Sequence, residues 1–216
     1  MASLRLIASQ IGNDPFPVPW DNTFFQINTE LPLMIYNTDL SEFISGKQEL
    51  NISIIQFFMM FLHRVCITEG KENMYGFVDP AYTNPVGPNS TETQAYITNI
   101  LEKEGKQIYL CPYINEHHWQ LLVLSMVDKT AVWFCSLHKK MPTKFKDIID
   151  TSWRGYNILK GRSSSNNLNY IRVKVCNFFL SLLSLFINIL TYYFLLNYSV
   201  INNQEAMSVA ITLCNG

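Results

Sequence analysis

The sequence predicts an α+β domain with a central antiparallel sheet flanked by helices. Three observations point there. Two apolar segments with helical spacing, Glu49–Cys66 and Thr91–Glu104, come before any long strand signal. Three strand-like runs then follow in succession, two of them joined only by the short polar turn Asp128-Lys129. A further amphipathic helix at Thr143–Trp153 comes after them. Helices and strands segregated in this way, rather than alternating one for one, read as α+β. A length of 216 residues suits one domain of ordinary size, or one domain with an appendage.

The elements are taken in chain order. Residues 12–40 carry Pro15, Pro17, Pro19 and Pro32 among aromatic residues, so an extended lead-in is expected over residues 1–40. Ser41–Gly46 reads as a short helical turn. In Glu49–Cys66, the residues Ile54, Phe57, Phe58, Phe61, Leu62 and Val65 recur at helical spacing on most faces, which predicts a helix buried centrally. Gly70 and Gly76 stop it, and Tyr75–Pro80 reads as a strand end and turn. Asn84–Ser90 is a loop, and Gly105 ends the helix at Thr91–Glu104. The strand runs are Gln107–Ile114, Trp119–Val127 and Thr130–Leu137, with the last two forming an antiparallel hairpin. After the helix at Thr143–Trp153 come a Ser/Asn linker, Gly161–Asn169, and a last strand, Tyr170–Val175.

Composition excludes some partners. A formal net charge of -1 offers no basic footprint, so no nucleic-acid partner is expected. The five cysteines, Cys66, Cys111, Cys135, Cys176 and Cys214, are odd in number and scattered, which fits neither a zinc site nor a disulfide framework. No metal or cofactor is expected, and the reading is a reduced compartment, nuclear or cytoplasmic. The first residues, Met1–Gly12, lack the long apolar core of a signal peptide.

The chemistry centres on His118, where a loop becomes a strand. A neutral imidazole can accept a proton from a thiol, and the following indole, Trp119, is the candidate for shielding the ring and touching substrate. By itself a His-His pair in a loop is most often solvated surface. The surrounding stretch, Ile108–Leu124, resembles the ubiquitin-like-protein-specific (SUMO-type) cysteine protease family, closest to the domains of plant transposon-derived proteins. Ser45–Gln56, Asn73–Pro80 and Ala131–Lys140 carry the same resemblance, which covers about residues 40–175. It implies a papain-like cysteine protease fold over residues 41–174, incomplete at its C-terminal part, with His118 as general base. It also implies the chemistry: a thiolate attacks a carbonyl, His protonates the leaving amine, and water clears the thioester. The expected partner is a ubiquitin-like modifier or other protein substrate.

Two departures from the family pattern matter. Where the family has Leu-Asp-Ser-Leu, this chain has Phe134-Cys135-Ser136-Leu137, so Cys135 occupies the position of the acid that orients the base. A thiol cannot stabilise an imidazolium as a carboxylate does. Asp128 is near in sequence, but the hairpin sends it to the far end of both strands. The nucleophile is absent as well. The family carries it in a Glu/Asp-Cys-Gly-Tyr-Tyr-type motif, and no Cys-Gly occurs anywhere in this sequence.

The C-terminal residues suggest why. Back-translated with permitted codons and read from the third base of the Met207 codon, Met207–Gly216 gives Glu-Cys-Gly-Tyr-Tyr-Val-Met-Gln-Trp. Residues 199–216 are therefore read as an out-of-frame tail, and residues 175–198 as retained intron. Between Cys176 and Asn203 there is no Asp, Glu, Lys, Arg, His, Gly, Ala, Pro, Trp or Gln. The competing reading is a single-pass membrane anchor. Phe178–Leu196 is 19 residues without a charge, long enough to span a bilayer, and Arg172 and Lys174 precede it. A buried helix is the third reading. For function, the leading expectation is a cysteine-type peptidase domain that is inactive as written. A catalytically dead modifier-binding module and a membrane-anchored protein are the alternatives.

Overall fold

A computed structural model of the chain describes residues 14–22, 24–45, 50–163 and 167–174. The apolar run Phe178–Leu196, the tail at 199–216, and Cys176 and Cys214 lie outside the described residues. Among the described residues, no helix is long and apolar enough to cross a membrane.

The elements are β1 (Phe16–Val18), β2 (Leu33–Ile35), α1 (Asn37–Ser45), α2 (Ile52–Thr68), β3 (Tyr75–Phe77), α3 (Pro80–Thr83), α4 (Ser90–Glu104), β4 (Ile108–Asn115), β5 (His118–Ser125), β6 (Thr130–Cys135), α5 (Thr143–Leu159) and β7 (Asn169–Lys174). Strands β3 to β7 form one sheet in that order. Its centre, β4-β5-β6, is antiparallel as expected, while both flanking strands run parallel to their neighbours. The domain is α+β, with helices on both faces of the sheet.

Alternation along the strands divides the core in two. Tyr109, Cys111, Leu122, Leu124, Ala131 and Trp133 face α4 and α5, meeting Ile97, Ile100, Phe145, Ile149 and Trp153. Leu110, Leu121, Val123 and Phe134 face α2, meeting Ile55, Met59, Leu62 and Cys66. Between α4 and α5 the approach is close because Gly155 has no side chain: a Cβ there would lie 3.2 Å from Thr98 Cγ2.

The helix ends follow their residues. Asn89 caps α4, accepting from the N–H groups of Thr91 and Glu92, each at 3.0 Å, while Glu92 accepts the Asn89 N–H at 3.2 Å. Gly105 closes the other end in the left-handed region at φ 62°. Asn51 caps α2 by accepting from Ser53 N at 3.2 Å. The helix expected at Thr143–Trp153 continues to Leu159 as α5, because Tyr156 and Asn157 extend its buried face.

Three expectations need correction. The lead-in is not uniformly extended: β1 and β2 pair as an antiparallel ribbon, and α1 begins at Asn37, where Asp39 accepts the Tyr36 N–H at 2.9 Å. Pro17 is tolerated because it lies in a two-stranded ribbon. Second, α2 is not buried all round. It lies across one face of the sheet, and Phe57 and Phe61 point away from it, 45% and 54% exposed. Third, β4 and β5 form a second hairpin tighter than the first, with Asn115 opposite His118, whereas Ser125 and Thr130 close the β5-β6 hairpin.

Candidate functional site

The β4-β5 turn places the key side chain. Asn115 and His118 are Cα partners, so only Glu116 and His117 remain to reverse the chain. Both take positive φ, 50° and 59°, as a two-residue turn of the right twist demands. Non-glycine residues are disfavoured there, and backbone held in such regions tends to occur where geometry serves function. The turn sets His118 at the first position of β5, on rigid backbone.

His118 shares a sheet face with Gln120, Leu122 and Cys135, the face that meets α4 and α5. Its ring is partly buried. Burial lowers its pKa first, and the Lys139 ammonium adds to the effect. Both effects favour the neutral imidazole, the form that can accept a proton. Lys139 is itself tied to Glu116 at 2.6 Å, an exposed pair bridging the β4-β5 turn and the segment after β6.

Among the described residues no carboxylate meets the ring. Asp128 sits in the β5-β6 turn, bonded to Ser125 Oγ at 2.7 Å, at the opposite end of β5 from His118. Cys135 is 1% exposed, and its sulfur accepts from Gln120 Nε2 at 3.6 Å and from Lys139 N at 3.3 Å. The group that reaches the imidazole is Ser136, whose Oγ lies 3.4 Å from Nε2. Sequence reasoning passed over it: a serine just beyond a strand is a common turn residue with no distinguishing signal.

Trp119 takes a different place from the one expected. Successive strand residues point to opposite faces, so its indole lies on the α2 side, away from the His118 ring. It is 7% exposed and donates to the Leu50 carbonyl at 2.7 Å, holding the entry to α2 against the sheet.

The described thiols are sealed. Cys66 and Cys111 are fully buried, and burial raises both, Cys66 to about 11. None of Cys66, Cys111 and Cys135 has the exposed, electropositive setting of a reactive thiolate. Among the described residues no group of His, Cys, Asp or Glu could hold a metal ion.

This architecture has known counterparts. One is a solved structure of the SUMO protease Ulp1 with its catalytic cysteine oxidised to a sulfonic acid. It matches at a TM-score of 0.57 and 14% identity, over 97% of this chain and 89% of that one. The C-terminal Ulp1 protease domain in complex with Smt3, the yeast ortholog of SUMO, matches with the same figures: TM-score 0.57, 14% identity, 97% and 89% coverage. The fold is that of a SUMO protease domain. A structure of a de-sumoylating protease also matches, at a TM-score of 0.53 and 16% identity, over 66% of this chain and 60% of that one. In sequence alone, no protein-family model and no curated protein matches the chain.

At position 135 two N–H donors, Gln120 Nε2 and Lys139 N, point at the Cys135 sulfur. A carboxylate would be received by both. Cys135→Asp is expected to fold and to make His118 titrate about one pH unit higher, because the new charge lies on the same face near the ring. Histidine NMR titration of both proteins measures this, and an unchanged midpoint would rule it out.

Proposed function

We propose that this is a cysteine-type peptidase domain of the class that acts on ubiquitin-like modifiers, inactive as the chain is written because the nucleophilic cysteine of that class is missing from its sequence. The substrate linkage is the isopeptide or C-terminal Gly-Gly bond of such a modifier. The observation that carries the reading is His118: a partly buried imidazole, its pKa lowered by burial, set at the start of β5 by a two-residue turn, in a sheet with SUMO-protease architecture. Support for inactivity comes from the three buried thiols and from the lack of any Cys-Gly in the sequence. The finer placement, in the plant transposon-derived branch, rests on the quoted sequence stretches.

A modifier bearing a C-terminal vinyl sulfone tests this directly. The 216-residue chain is expected to give no covalent adduct, judged by a gel shift and intact mass, while still binding the modifier. An adduct at any of the five cysteines contradicts inactivity, and failure to bind any modifier tested contradicts the substrate class.

The chain is proposed to be nuclear or cytoplasmic. The uncharged run Phe178–Leu196 favours a second reading, a single-pass membrane protein. Flotation with liposomes separates the two.

A further inference from the structure

A base needs one ring nitrogen held so that the other is aimed, and no described carboxylate holds His118. We infer that the Ser136 hydroxyl is the positioning group for His118, standing in for the absent acid. The inference rests on the reading of His118 as a base, but its geometry is independent of any substrate.

Strand β6 ends at Cys135, and the chain turns at once: His138 N donates to the Cys135 carbonyl at 3.0 Å. His138 takes φ 52°, completing the reversal. That turn carries Ser136 out of the strand's alternation and toward His118, leaving its Oγ 3.4 Å from Nε2. Cys135 stays on the sheet face that His118 shares, its sulfur engaged by Gln120 and Lys139. The turn is braced from both sides, since the Trp133 indole donates to the Lys139 carbonyl at 3.1 Å and Lys139 Nζ reaches Glu116 at 2.6 Å. The charged groups around the ring are thus Lys139 and, paired with it, Glu116.

In the inferred arrangement Ser136 Oγ accepts the Nε2 hydrogen across the 3.4 Å contact, whose direction the tautomer decides. The lone pair then resides on Nδ1, which has no hydrogen-bond partner among the described residues. A hydroxyl does this without adding charge, so the tautomer is fixed while the ring stays neutral. A carboxylate would also fix it but would favour the imidazolium.

Ring nitrogen shifts of His118 in the full chain, above its titration midpoint, report the tautomer. The wild type is expected to show one tautomer, with Nε2 protonated. Ser136→Ala is expected to lose that preference and give averaged shifts, and Ser136→Thr to restore it. Identical ring shifts in wild type and Ser136→Ala would overturn the inference, as would a wild-type proton on Nδ1. Backbone amide spectra of the variants confirm folding. The modifier probe reads the peptidase assignment separately, so either can fail without the other.

Discussion

Gly76→Ala is expected to lower stability by about 3 kcal/mol, near the upper end for overpacking a core. Gly76 lies in β3 opposite Tyr109 of β4. A Cβ at this position would meet Tyr109 Cδ1 at 2.5 Å, Cε1 closer still, and Glu104 Oε2 at 2.8 Å. The ring cannot step aside. It is fully buried, and its hydroxyl accepts from Lys106 N at 3.1 Å and donates to the Ile100 carbonyl at 3.4 Å. Relief must come from the backbone of β3, the edge strand that leads into Asp79 and α3. Thermal unfolding should show a midpoint roughly 10 °C lower, by the usual scaling for a domain of this size. Gly105→Ala is the control. Its Cβ would meet nothing within 4 Å, so only its left-handed φ opposes the change, at about 1 kcal/mol. Equal losses for the two variants would discard the steric argument.

The second large effect concerns Asp79. This carboxylate is 2% exposed and caps α3, accepting from Ala81 N at 2.9 Å and from Gln56 Nε2 at 2.8 Å. Its own N–H donates to Tyr96 Oη at 3.1 Å, and that hydroxyl donates to the Phe25 carbonyl at 3.1 Å. One acid thus joins α2, α3, α4 and the lead-in. Removing it strands the Gln56 amide in the core and uncaps α3, so Asp79→Ala is expected to cost about 3 kcal/mol at pH 5.

Charge makes the outcome pH-dependent. Burial raises this acid from 3.8 to about 6, against the pull of its two hydrogen bonds. The native state therefore holds the proton more tightly than the unfolded chain. The resulting stabilisation is complete below about pH 4 and is lost as pH rises through 6, up to about 3 kcal/mol in all. Asp79→Asn keeps the acceptor and cannot ionise. It should match wild type near pH 5 and gain on it by pH 8, while the deficit of Asp79→Ala shrinks over the same range. Urea unfolding at the two pH values measures both, and pH-independent differences would remove Asp79 as the titrating group.

Much of this frame was legible in the residues. Gly70 and Gly105 end helices, and the polar pair at 128–129 marks a hairpin, because those signals are local. Glu116-His117 carried no such signal: a two-residue turn with both φ positive is usually marked by Asn or Gly, and here the strands on either side impose it. The exposure of Phe57 and Phe61 was hidden for the opposite reason, since periodicity reports an apolar face but not which neighbour covers it. His118 and Cys135 were found through their place in a sequence pattern. Ser136 was not, because its approach to the ring depends on a turn that forms only after β6 ends. The opposed directions of His118 and Trp119, by contrast, follow from strand alternation alone.

The parallel pairing of β6 and β7 decides at which end of the sheet the last strand finishes. Lys174, the last residue of β7, stands opposite Cys135, about one strand spacing of 4.8 Å away. An antiparallel β7 would have handed the polypeptide onward at the Asp128 end of the sheet. As built, β7 ends at the same end of the sheet as Cys135 and His118, opposite to the Asp128 turn.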